Sequence, residues 1–170
     1  TSGSRVKLSV LAGDKFYCAS KKARNQEKVL FAMFDRLLGA HKAGLKDLST
    51  LGVITGRGRF TGLRVGLTLA GALKTLAGIT VYSSTLFEVL AAQAAASREF
   101  RAWASGRKKP RLAALVHAFK DEYFCQAFEV RSQKSEVRSQ KFKPVEAPRW
   151  FKDTEIAGYL AAQGSDLYVI

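Results

Sequence analysis

Apolar and polar positions alternate from the first residues: Val6, Leu8 and Val10 are interleaved with Lys7 and Ser9, and after Gly13-Asp14 come Phe16 to Ala19. This period of two, broken by a turn dipeptide, predicts a β-hairpin over residues 5–20 with one apolar face. The period then changes. From Gln26 to His41 the apolar residues recur as Val29, Leu30, Met33, Phe34, Leu37 and Leu38, which predicts a helix burying one stripe, with Gly44 just past its end and Phe31 off the stripe and exposed. Leu51 to Thr55 reads as a short strand before Gly56 and Gly58, Leu63 to Leu76 as a helix stopped by Gly78, and Ile79 to Tyr82 as the next strand. Ser84 or Thr85 can cap a further helix through Ala95. Strand, helix, strand, helix implies α/β layering with a partly parallel sheet.

A basic linker at Gly106–Pro110 precedes two apolar runs, 111–118 and 122–130, separated by Phe119-Lys120-Asp121, a second hairpin pattern. The expected organisation is therefore an N-terminal lobe over 1–100 and a second, partial lobe over 101–170. The latter ends with a helix from Asp153 to Gln163 and a strand from Leu167 to Ile170, an apolar finish that reads as a stop inside a fold. Glu129-Val-Arg-Ser-Gln-Lys134 recurs unchanged as Glu136 to Lys141. Two copies cannot build a solenoid, so residues 130–141 read as an exposed inserted loop with no functional role.

Charge changes this picture more than composition does. Lys plus Arg number 28 against 14 Asp plus Glu, a net charge of +14 with a pI near 10.1, which favours a polyanionic environment. Cations are densest at 101–111 and 131–143. Either cluster could meet phosphate, but neither interleaves the aromatics of a base-stacking platform, and solvated loops that keep the protein soluble explain them equally well. Arg57, Arg59, Arg107, Lys108 and Lys109 are the candidate RNA contacts. No apolar run approaches the roughly 20 residues of a membrane span. Thr1-Ser2-Gly3-Ser4-Arg5 has neither the build of a signal peptide nor an initiator Met, so export is unsupported and the true beginning is expected further upstream. Cys18 and Cys125 are far apart and give no disulfide framework; a reducing cytoplasm is the expected location.

Catalytic patterns fail in turn. His41 and His117 form no His-x-x-x-His or His-Glu-x-x-His pair, no Gly-x-Ser-x-Gly turn presents a nucleophile, and Asp14, Asp35, Asp47 and Asp121 show no paired-carboxylate spacing. No metal or cofactor is expected. The turn Gly56-Arg-Gly-Arg-Phe-Thr-Gly-Leu-Arg-Val-Gly66 follows a strand and opens a helix, the usual place for phosphate in α/β proteins. It lacks the Gly-Lys-Ser/Thr of a P-loop, and Gly62 comes one position too late for a dinucleotide fingerprint. Gly56 and Gly58 permit a sharp turn, and Thr61 is placed to cap the helix. Along that helix Gly62, Gly66 and Ala70 recur every four residues and clear one face for another helix, while Leu63, Leu67 and Leu73 supply apolar contact. The partner could be the helix 26–41 of the same chain, the same helix of a second subunit, or a related protein.

The strand, the Gly-x-Gly-x-Phe-Thr-Gly-Leu-Arg-x-Gly turn, the small-faced helix and the following strand into Ser83-Ser84 resemble the signature of the TsaB (YeaZ) family. The resemblance extends back through the helix 26–41 and the first hairpin to Thr1-Ser2, which resembles the close of the family's opening strand, and more weakly forward to the hairpin 111–130. Departures are Arg57 and Arg59 where the family usually has Pro and Ser, Asn25-Gln26 where it usually has His-Ser, the absent opening strand and a shortened second lobe. The resemblance implies an actin-like fold of the sugar-kinase/Hsp70 type in two lobes. It also implies a non-catalytic scaffold that pairs with TsaD through N-lobe helices, with TsaE joining the assembly, in the threonylcarbamoyl modification of tRNA adenosine; contact with tRNA would be weak or indirect. Carried over by position, the partner or homodimer interface comprises Leu30, Met33, Phe34, Leu37, Gly62, Leu63, Gly66, Leu67 and Ala70, each equally readable as part of the protein's own core. Two competing readings stand beside it: a free-standing basic RNA-binding module, and a degenerate nucleotide-binding protein using Gly56 and Gly58.

Overall fold

The computed structural model describes residues 5–23, 25–57, 60–130 and 142–170. It is a mixed α/β protein with five α-helices among the described residues, and the contacts divide the chain into two compact units, Thr1–Leu86 and Phe87–Ile170. Most of the repeated hexamer segment, from 131 to 141, lies outside the described residues, as do Gly58 and Arg59.

In the first unit, β1 (Arg5–Ala12) and β2 (Lys15–Lys22) form the expected hairpin, antiparallel from Arg5↔Lys22 to Ala12↔Lys15. Gly13, at φ +59°, supplies the left-handed backbone of its turn. The helix α1 (Gln26–Ala40) follows, then a single 3-10 turn (Leu45–Asp47), β3 (Thr50–Thr55), α2 (Phe60–Ala77) and β4 (Thr80–Thr85). β3 and β4 pair in parallel from Thr50↔Thr80 to Thr55↔Thr85, with α2 as the crossover that a parallel pair requires. Phe34, Leu38, Leu73 and Ile79 form the buried cluster of this unit, with Leu8, Val10, Leu51 and Leu69 packed against it. Both helices thus turn their apolar stripes onto the strands.

The second unit is built on one five-stranded sheet. β5 (Arg111–His117) and β6 (Glu122–Val130) form the second expected hairpin; β7 (Phe142–Pro144) and β8 (Arg149–Lys152) both pair with β6, and β9 (Leu167–Val169) runs parallel to β5. Side-chain alternation on β5 supplies two cores. Leu112 and Ala114 join Phe128, Phe87, Ala91, Ala94 and Phe100, from α3 (Leu86–Ala96) and α4 (Arg98–Ala104), on one face. Ala113 joins Cys125 and Phe151 on the other, with Ile156, Tyr159 and Leu160 of α5 (Asp153–Ala162) packed over them.

Two features differ from expectation. The division falls after Leu86 and not at residue 100, because α3 buries its side chains against Leu112, Ala114 and Phe128. A separate helix, α4, occupies 98–104, where only a basic stretch was read; the Ser97 hydroxyl caps it by accepting from the Phe100 N–H at 3.1 Å.

Candidate functional site: the paired helices of the first unit

Helices α1 and α2 are in contact, and burial along each sorts the sequence-derived interface residues into two groups. On α1, Leu30, Phe34 and Leu38 are buried, Met33 and Leu37 are half-buried, and Phe31 is 54% exposed, as its position off the stripe implied. On α2, Gly62, Ala70 and Leu73 are buried, Leu63 and Gly66 are half-buried, and Leu67 is 44% exposed. Leu30, Phe34, Gly62 and Ala70 are therefore interior residues of the unit and not a surface offered to a partner. Of the small-residue stripe on α2, Gly62 and Ala70 face inward and Gly66 is half-buried.

What the two helices do offer is a groove. A cavity of about 350 Å³ is lined by Glu27 and Phe31 from α1 and by Thr61, Arg64, Val65, Thr68, Leu69 and Ala72 from α2. Its wall is mostly carbon. Arg64 lies 5.4 Å from the centroid of the Phe60 ring, a cation–π distance at the start of α2. Thr61 lies inside α2, one residue after Phe60, and so is not the N-cap that its position in the turn suggested. Gly56 does what the turn requires, with φ +85°, and a Cβ placed on it would meet the Thr85 Cγ2 at 3.3 Å. Val65, Leu69 and Arg64 were missed as groove residues by sequence reasoning, which followed the small-residue face. The signal that could have found the groove was Phe31, an aromatic on a helix whose stripe did not need it.

The candidate RNA contacts fall in both units. Arg57 is exposed beside Gly56, while Arg107, in the second unit, is engaged: its guanidinium lies 4.2 Å from the centroid of the Trp103 ring, donates to the Trp103 carbonyl, and sits 3.5 Å from an Asp166 carboxylate oxygen. Lys108 and Lys109 beside it are exposed. The histidines have different neighbours: the His41 ring lies against Tyr17, tilted by 39° with ring centroids 3.7 Å apart, and His117 bonds the Lys120 carbonyl. Among the described residues no group of three or more His, Cys, Asp or Glu is placed to hold a metal ion.

The buried chemistry lies in the second unit. Burial, then the nearby Glu146 carboxylate, pushes the Cys125 thiol up to about 11. Burial and its hydrogen bond to Glu146 push the Tyr159 hydroxyl up to about 12. Both groups are held protonated at neutral pH, which suits a core and not a nucleophile. Cys18 is exposed.

A βαβ unit of paired helices, followed by a mixed sheet with helices on both faces, defines a mixed α/β fold. That fold is the fold of YeaZ. YeaZ from Pseudomonas aeruginosa superposes with a TM-score of 0.68 at 17% identity, over 89% of this chain and 64% of that one. An uncharacterized protein with similarity to peptidase YeaZ from Pseudomonas aeruginosa superposes with a TM-score of 0.73 at 17% identity, over 99% of this chain and 71% of that one. The likeness is one of fold, and the chain spans 64% of the length of the first structure. No protein-family model and no curated protein matches the sequence. The YeaZ resemblance carried by the Gly56–Gly66 turn is thus matched by the architecture. No helix among the described residues is long and apolar enough to cross a membrane.

Proposed function

We propose that this chain is a non-catalytic scaffold of the TsaB type, with the actin-like two-lobe architecture of that family, and that it binds a TsaD partner through the groove between α1 and α2. The observation that carries this reading is the groove itself. An apolar recess of about 350 Å³, with Phe31 standing half out of it, lies between the two helices that the family resemblance assigns to partner binding. A helix of a partner could seat apolar side chains there at helical spacing.

The reading assigns the chain no reaction of its own: it supports the tRNA-modifying enzyme by binding it, with TsaE joining through the complex and tRNA reached indirectly. A second copy of the chain could use the same groove in place of TsaD. The test is native mass spectrometry of the chain alone, and mixed with TsaD from the same organism. A heterodimer that forms at the expense of any homodimer supports the proposal; a chain that stays monomeric or self-paired beside TsaD refutes it.

A further inference from the structure

The β1–β2 hairpin has two unlike faces. Val6 is buried, and Leu8 and Val10 pack against the Phe34 and Leu38 cluster. On the opposite face the register sets Arg5, Lys7, Ser9 and Leu11 across from Lys22, Ser20, Cys18 and Phe16. All eight are exposed. Three cations gather at one end, and among the described residues no carboxylate forms an ion pair with any of them; the only acid in the hairpin is Asp14, in the turn. Arg5 donates from Nε to the Ser20 hydroxyl at 2.9 Å, which draws its guanidinium across the strands. Phe16 at 71% and Leu11 at 58% exposure occupy the other end. Small polar side chains lie between, with the Ser9 hydroxyl 3.1 Å from the Cys18 sulfur. From Arg5 to Leu11 the face runs about 20 Å at a strand's rise of about 3.3 Å per residue.

We propose that this outer face binds a single-stranded segment of RNA, with Arg5, Lys7 and Lys22 on phosphates and the Phe16 ring stacked on a base. The Phe16 ring and the Leu11 side chain stand exposed on the same face of the hairpin as the three cations. The cations and the ring share one surface of the ribbon at its two ends, so an extended ligand that spans it must present both charge and flat apolar surface along its length. An unpaired nucleotide strand does so. A bilayer presents its charge and its hydrocarbon at different depths, and a duplex keeps its bases stacked away from the ring. This surface stands on the hairpin alone and does not depend on TsaD binding.

Cys18 makes the proposal measurable, because it sits mid-face and exposed while Cys125 is buried. The probe is a fluorescein-labelled oligouridine of about ten nucleotides, within the site size of single-strand binders. Three results are expected. Anisotropy titrations show salt-dependent binding, and saturating oligouridine slows alkylation of Cys18 by iodoacetamide several-fold. The triple variant Arg5→Gln, Lys7→Gln, Lys22→Gln loses about 2 from the log–log salt slope, at about 0.7 for each phosphate contact on a single strand. Phe16→Ser, which changes no charge, weakens binding roughly tenfold and leaves the slope alone. These four positions are exposed, so circular dichroism should show every variant folded. The proposal is overturned if oligouridine does not bind, if it binds without protecting Cys18, or if phosphatidylserine vesicles capture the chain while oligouridine does not.

Discussion

Two adjacent residues on α1 test whether the proposed groove binds a partner. Phe31 is 54% exposed and lines the groove, whereas Leu30, one position before it, is 2% exposed. A Phe side chain offers roughly 200 Å², so a partner seated over Phe31 removes about 100 Å² from water. At about 25 cal/mol per Å² that contributes about 2.5 kcal/mol, or roughly 60-fold in affinity. Phe31→Ala is therefore expected to weaken TsaD binding by that factor in isothermal titration calorimetry and to leave the urea midpoint nearly unchanged. Leu30→Ala should do the reverse, costing about 2–5 kcal/mol of stability through the lost transfer energy and the cavity left behind, with near-normal affinity in the folded fraction. If a heterodimer forms and Phe31→Ala binds as tightly as wild type, the groove is not the interface. If Leu30→Ala loses binding at unchanged stability, the burial reasoning itself is wrong.

Two further predictions concern the turn and the buried thiol. Gly56→Ala must hold an L-residue at φ +85° with its Cβ 3.3 Å from the Thr85 methyl, so it should cost roughly 1–2 kcal/mol in urea denaturation; an unchanged midpoint would mean that the turn relaxes out of the left-handed region. Cys125 keeps its proton up to about pH 11 in the folded chain, against an ordinary value of 9.0. A raised folded-state value contributes stability that is intact below pH 9 and is lost as the pH climbs from 9 towards 11, at most about 1.4 kcal/mol per pH unit. Urea titrations of wild type and Cys125→Ala at pH 8, 9 and 10 should converge as the pH rises, and parallel curves would show that the thiol titrates normally.

The period of the apolar residues carried most of the architecture. Hairpin 5–20, helix 26–41, the strand and helix flanking Gly56, and hairpin 111–130 all form close to their expected limits, because each buries one continuous stripe or face. Short elements were not legible. β7 and β8 have three and four residues, too few to establish a period, and their places are fixed only by pairing with β6. Helix α4 was hidden because Arg98 and Arg101 surround Phe100 and Trp103, the residues that pack it. Nor does periodicity say which core a stripe joins. Phe87, Ala91 and Ala94 read as a helix from sequence, but their attachment to Leu112 and Phe128 depends on contacts between residues far apart in the chain.

The same limit explains the shift in the candidate interface. A stripe of Gly62, Gly66 and Ala70 announces close approach, and close approach inside one unit looks identical in sequence to close approach between two chains. In the fold Gly62 and Ala70 are spent on interior packing. The proposed partner surface would then lie on a neighbouring stripe, about 100° round the helix for each residue. Phe31, one residue past Leu30, and Val65 and Ala72 beside the small-residue row, occupy that position and line the groove, while Leu69 touches both groove and core. Residues that the unit's own core does not consume are the ones left for recognition, so the aromatic that fits the internal pattern worst is the one on which the interface should depend most.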